Sequence, residues 1–219
     1  MLDILKAIMA VIIACGLMNC VQKKVATKSS APVDINPAAI AIDSEIYKKI
    51  TFIDNSKIPA PYLSMNIAFD PIAVIRKDVE KKEKVILQNR GEAHITVITP
   101  PEFEQLKSVL TMELLNEVAL LNRIQETPFE ILCVGRGQIK EDKKTLSTYF
   151  IVVDAPELLS LRRTIATLYK TRGGLASGFN PEDFYPHITV GFTERDLHAS
   201  DGVIKSKASC LIDTQLKAQ

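Results

Sequence analysis

The sequence has no tryptophan, only three histidines and only four cysteines among its 219 residues. Four cysteines are too few for a disulfide scaffold, and no C-x-x-C spacing exists to start a zinc ribbon. Nine glycines and eleven prolines exclude a collagen-like or low-complexity chain. Charge of one sign is missing too: 27 Lys and Arg against 26 Asp and Glu give a net +1. A general nucleic-acid coat, which binds by releasing counterions from phosphates, is therefore excluded. What is present, 47% hydrophobic and 24% charged residues, suits one or two globular domains with a full core.

The first forty residues form a separate segment. An apolar run from Ala7 to Met18 is too short to span a bilayer and has the length of a signal-peptide core. Cys15 and Cys20 lie at its end, followed by the polar, unpatterned stretch Val21 to Pro32. This segment resembles a bacterial lipoprotein signal, which implies lipidation of Cys20 (alternatively Cys15), a tether over 21–40 and a domain outside the cytoplasm. An uncleaved anchor helix is the other reading, and a cytoplasmic location follows if the segment is no signal. Residues 1–40 hold four lysines and two acids, so residues 41–219 carry −1. Cys133 and Cys210 lie in apolar settings and read as packed thiols, although an oxidising compartment would allow a disulfide if they meet.

Within 41–219, residues 41–58 read as helical or irregular. Alternation of Leu63, Met65, Ile67 and Phe69 predicts a half-buried strand. Asp70-Pro71 predicts an N-cap and a helix. A strand over 93–98 follows, then a helix opened by the capping-box pattern Thr99-Pro-Pro-Glu102, with Phe103, Leu106, Leu110, Leu114, Val118 and Leu121 on its inner face. The second half repeats the plan. Strands over 129–134 and 146–153 flank a polar connection over 135–144, and Asp154 caps a helix with Leu158, Leu161, Ile165 and Leu168 inward. Strands over 187–192 and 203–212 complete the prediction. The lobes fall at about 60–125 and 126–212, with exchange of a strand between them possible.

Two of the three histidines stand in the same tetrapeptide, His-Ile-Thr-Val, at 94–97 and at 187–190. Period-two geometry puts His94 with Thr96 on one face of a strand, and His187 with Thr189 on one face of another. Opening a cyclic phosphodiester needs a base for water, an acid for the leaving sugar oxygen, and donors for the phosphoryl oxygens. An imidazole pair titrates in the right range for the first two tasks, and threonine hydroxyls serve the third.

The paired H-x-T-x motifs, about ninety residues apart, resemble those of the two-histidine (2H) phosphoesterase superfamily, which includes LigT-like RNA ligases and 2′,3′-cyclic nucleotide phosphodiesterases. The flanks Ala93 to Glu102 and Phe179 to His198 resemble its Swiss-army-knife, RNA-repair-like branch. The resemblance covers about 60–212 and implies a bilobal, pseudo-symmetric α+β fold, with two antiparallel sheets facing a central groove and helices outside. It implies that His94 and His187 are the acid–base pair, with His187 the base, and that Thr96 and Thr189 clamp the phosphate. No cofactor or metal is expected. Tyr185, Phe179 and Arg172 are candidates for substrate contact; Phe192 falls on the core face, and Arg195 and His198 read as surface and structural residues. The expected partner is a small cyclic phosphodiester or an RNA end, not long duplex nucleic acid, met by a monomer. The competing expectations are a nucleotide-binding module without turnover and a 2′-5′ RNA ligase-like activity.

Overall fold

The computed structural model describes residues 38–217. The anchor, most of the tether and both candidate lipidation sites, Cys15 and Cys20, lie outside the described residues. A mixed α+β architecture follows from the two periodicities in the sequence. Among the described residues the strands are β1 (Ile40–Ile42), β2 (Leu63–Asn66), β3 (His94–Ile98), β4 (Glu130–Glu141), β5 (Lys144–Asp154), β6 (His187–Phe192), β7 (Cys210–Ile212) and β8 (Thr214–Leu216). The four α-helices described are α1 (Phe69–Glu83), α2 (Pro100–Leu106), α3 (Met112–Leu121) and α4 (Pro156–Thr171).

Six strands make one antiparallel sheet in the order β2-β3-β6-β5-β4-β7. The two antiparallel sheets that the resemblance implies are here the halves of one continuous sheet, β2-β3 and β6-β5-β4-β7, joined through the register pair Ile95–Ile188. The short β1 and β8 pair in parallel, which brings residues 40–42 beside 214–216. One face of the large sheet carries the alternate apolar side chains Ile95, Val97, Val134, Tyr149, Ile151, Val153, Ile188 and Val190. With Ile72, Ile75 and Val79 of α1 and Leu158, Leu161 and Ile165 of α4 they form the main core. The opposite face holds both His-x-Thr pairs.

Several boundaries differ from the sequence reading, each for a local reason. Helix α1 starts two residues early, with Ala68 as N-cap and no side-chain cap. Pro71 fits inside the first turn because the N–H groups there have no intrahelical acceptor, so Asp70 is a first-turn acid rather than the cap. Thr99 and Glu102 form the expected capping box, but the helix stops at Leu106. Thr111 then caps a second helix by accepting from Leu114 N at 3.2 Å. The restart shifts the buried face to Met112, Leu115, Asn116 and Ala119, leaving Leu121 84% exposed. Helix α4 lacks the Asp154 cap; Ala155 precedes Pro156 at its first turn.

The polar connection expected over 135–144 is mostly strand: β4 and β5 pair down to Glu141–Lys144, leaving a turn at Asp142-Lys143. Cys133 and Cys210 are bridged by a disulfide across β4 and β7, with Cα atoms 5.7 Å apart. This corrects the packed-thiol reading. Cys133 is buried but Cys210 lies on the exposed edge strand β7, a position an apolar flank does not reveal.

Candidate active site

The register of β3 and β6 assembles the site. Ile95 pairs with Ile188, and continuing that antiparallel register by one residue each way sets His94 across from Thr189 and Thr96 across from His187. The isoleucines and valines of both motifs are buried, whereas both histidines and both threonines are half-buried on the other face. The same alternation extends sideways. Phe150 of β5 pairs with Thr189 and Val152 with His187, so Phe150 forms the floor beside the second motif. Its ring meets the His187 imidazole edge-on, with centroids 5.9 Å apart.

Hydrogen bonding distinguishes the two imidazoles. His187 Nδ1 lies 2.7 Å from the carbonyl oxygen of Tyr185. A carbonyl only accepts, so Nδ1 carries the proton and donates it, and Nε2 keeps the lone pair. His94 Nδ1 is buried without a hydrogen-bond partner among the described residues, with Glu92 Oε1 3.9 Å away. The Tyr62 ring covers this imidazole, centroids 5.1 Å apart. Burial is the main reason both histidines sit below the ordinary imidazole value, with His187 pushed down to about 3. For His187 the charge of Lys205 adds to burial. For His94 the nearby Glu92 opposes it. Two imidazoles with lowered pKa and different hydrogen-bond partners therefore lie on one face of adjoining strands.

A buried charged hub completes the site. Asp196 Oδ1 accepts from Thr148 Oγ1 at 2.7 Å and from Lys205 Nζ at 2.9 Å. Its other oxygen accepts from Thr189 Oγ1 at 3.4 Å, with His198 Nε2 at 3.9 Å and Arg90 at 4.0 Å. Burial alone would raise the Asp196 pKa, but Lys205 and these hydrogen bonds hold it below the usual carboxylate value, so it is ionised. Asp196 and Lys205 ride on an arm, residues 193–209, that lies over the site face of β4 and β5. Leu197 and Val203 anchor the arm against Leu146 and Ile139. Two glycines in β4 admit it. A Cβ at Gly135 would stand 2.6 Å from the Phe150 ring and 3.0 Å from the Ser209 carbonyl oxygen, and one at Gly137 would overlap Val203.

The secondary candidates fare differently. Phe179 is 4% exposed and packs under the Arg162 guanidinium, 4.8 Å from its centroid, so it is a core residue and not a stacking platform. Tyr185 is exposed and adjoins the site through its carbonyl. Arg172 is exposed at the C-terminal end of α4. Phe192 is buried. Arg195 pairs with Asp201 at 2.9 Å, and His198 is the N-cap of the short helical turn over 199–201. Asp196, Lys205, Tyr62 and Glu92 escaped the sequence reading. Asp196 lies between Arg195 and His198, which read as surface and structural residues, and Lys205 has no local pattern around it. A cavity of about 420 Å³ between segments 46–49 and 125–129 includes none of the four motif side chains. Among the described residues no three His, Cys, Asp or Glu side chains converge as ligands for a metal ion.

A sheet presenting two His-x-Thr pairs across adjoining antiparallel strands defines a phosphoesterase of the two-histidine class. The profile of the Swiss Army Knife 2H phosphoesterase domain matches residues 61–198, which include both motifs, the β4–β5 hairpin and Asp196. The chain belongs to that family, and phosphodiesterase-type chemistry is its general activity. No curated protein and no solved structure matches it.

Proposed function

We propose that this protein hydrolyses 2′,3′-cyclic phosphates of nucleotides or short RNA ends by paired-histidine acid–base catalysis. The observation that carries this reading is the unequal state of the imidazoles. The Tyr185 carbonyl fixes the Nδ1–H tautomer of His187, leaving Nε2 as a base, while the carboxylate of Glu92 lies 3.9 Å from His94. His187 Nε2 takes a proton from water as its oxygen attacks phosphorus. The bond from phosphorus to one sugar oxygen breaks, and His94, protonated once the phosphodiester anion is bound, gives its proton to that oxygen. The products are a phosphomonoester and a free hydroxyl, and proton exchange with solvent resets both rings. Thr96 and Thr189 donate to the non-bridging oxygens as charge accumulates. The 3.4 Å contact from Thr189 to Asp196 is long enough for that hydroxyl to turn toward a ligand.

The purified chain, with chelator present, should convert 2′,3′-cyclic AMP to a monophosphate. His94→Ala and His187→Ala should each lower kcat by about 10²–10⁴-fold. Wild-type turnover in either variant would refute the pair, and tight binding without product would select the nucleotide-binding alternative. A slightly acidic domain supports a small substrate over a long polyanion.

The reading extends to location. A Cys133–Cys210 disulfide suits an oxidising compartment, which supports a lipid anchor on Cys20 with the domain outside the cytoplasm. Metabolic palmitate should label the wild-type chain. Label persisting in a Cys15→Ala, Cys20→Ala chain would overturn the anchor.

A further inference from the structure

We propose that Lys205 is a third phosphate-binding group of this site: a buried ammonium, held by Asp196 beside Thr189 and His187, that neutralises the bound phosphodiester. The proposal rests on the phosphodiester reading above and adds a residue outside both motifs, seven positions beyond the end of the family match.

Position is the first support. The Lys205 side chain is 3% exposed, with Nζ 2.9 Å from Asp196 Oδ1 and 5.6 Å from the centroid of the Phe150 ring. That ring lies next to Thr189 in the sheet register and edge-on to His187. Lys205 therefore shares its floor with half of the catalytic constellation, and its charge acts on both imidazoles.

Capacity is the second. An ammonium has three N–H donors, and the bond to Asp196 uses one of them. Asp196 already accepts from Thr148 and lies within reach of Thr189, Arg90 and His198. Asp196 thus faces two cationic side chains, Lys205, whose pKa burial lowers, and the more exposed Arg90, and a phosphodiester anion would give the buried ammonium a second partner.

Cost is the third. Desolvating an ammonium and a carboxylate is expensive, and a purely structural contact here would be as well served by apolar side chains. The fold also gives up two β-carbons, at Gly135 and Gly137, to let the arm bring Lys205 onto the sheet. In this arrangement Lys205 binds the anion, and Asp196 is a positioning residue that orients Lys205 and Thr189.

The test uses the full chain, inorganic phosphate as probe, and NMR observation of the Lys205 Cε–Hε and histidine ring resonances. Phosphate should move the Lys205 signals of the wild-type protein. A Lys205→Met, Asp196→Asn double variant removes the cation without stranding a buried carboxylate. It should bind phosphate at least about tenfold more weakly, and kcat/KM for 2′,3′-cyclic AMP should fall by roughly 10²–10³, the range for removing one charge-stabilising donor. In the double variant, loss of Lys205, which lowers the His187 titration, outweighs loss of Asp196, which raises it, so that titration should rise. Unchanged phosphate affinity in the double variant overturns the proposal. So do wild-type Lys205 signals that ignore phosphate, a readout that stands even if the variants fail to fold. A wild-type chain that binds phosphate through Lys205 yet turns over no cyclic ester refutes the hydrolase reading and leaves this one standing.

Discussion

His94 and His187 occupy equivalent places in identical tetrapeptides, and their chemistry differs because of what lies outside those letters. A backbone carbonyl two residues upstream fixes the tautomer of His187, whereas a glutamate and a tyrosine ring flank His94. Both are held below 6.5 mainly by burial, with His187 at about 3. The pH dependence of kcat/KM, which reports the free enzyme, follows from the signs. On the proposed roles, His187 is competent as base above about 3, and the acid form of His94 is lost as pH rises through its lowered value. The profile should be bell-shaped with its alkaline limb below pH 6.5. Bound phosphodiester favours the imidazolium, so the limb for kcat should lie at higher pH than that for kcat/KM. An alkaline limb above pH 7 in kcat/KM would show that burial does not hold the acid below its ordinary imidazole value in the free enzyme.

At the scale of elements, the flanks of the two motifs have a shared structural reason. Arg162, 1% exposed in the middle of α4, donates to Glu102 in a bidentate pair at 2.7 and 3.2 Å and to the Val97 carbonyl at 2.6 Å. It also donates to the carbonyls of Asn180, Pro181 and Asp183, and its guanidinium stacks on Phe179 and Phe184. One side chain thereby fastens the end of β3, the first turn of α2 and the loop that delivers Tyr185 and His187. Arg162→Met should cost roughly 3–5 kcal/mol, because it leaves the Val97, Asn180, Pro181 and Asp183 carbonyls without this donor and takes a charged partner from the half-buried Glu102. Urea unfolding measures this, and a loss below about 1 kcal/mol would show that the loop is held by other contacts. On helical spacing alone Arg162 is simply the residue after Leu161, and its role is set by α2 and the 180–184 loop, both distant in sequence.

Across the whole molecule, the helices pack on one face of the sheet and leave the other to the site and its covering arm. The alternation in β3, β6 and the core of β5 was legible because a pleated strand with one buried face imposes period two on its residues, and the repeated His-Ile-Thr-Val made the active face visible at once. The Thr99–Glu102 capping box was legible for a similar reason: both partners lie within one turn. What was not legible involved contacts between segments far apart in sequence. Gly135 and Gly137 look like turn residues until Val203 and Ser209 are seen against them. The Cys133–Cys210 bridge spans 77 positions, and Asp196 meets Thr148 across 48. The sequence by itself pointed to the family and its general phosphodiesterase-type chemistry, because two His-x-Thr pairs on strands place four polar side chains on predictable faces. Only the tertiary structure decided which imidazole has a fixed tautomer, and which buried ion pair stands beside Thr189. Those depend on a carbonyl's direction and a charge's burial, and both arise when separate segments pack.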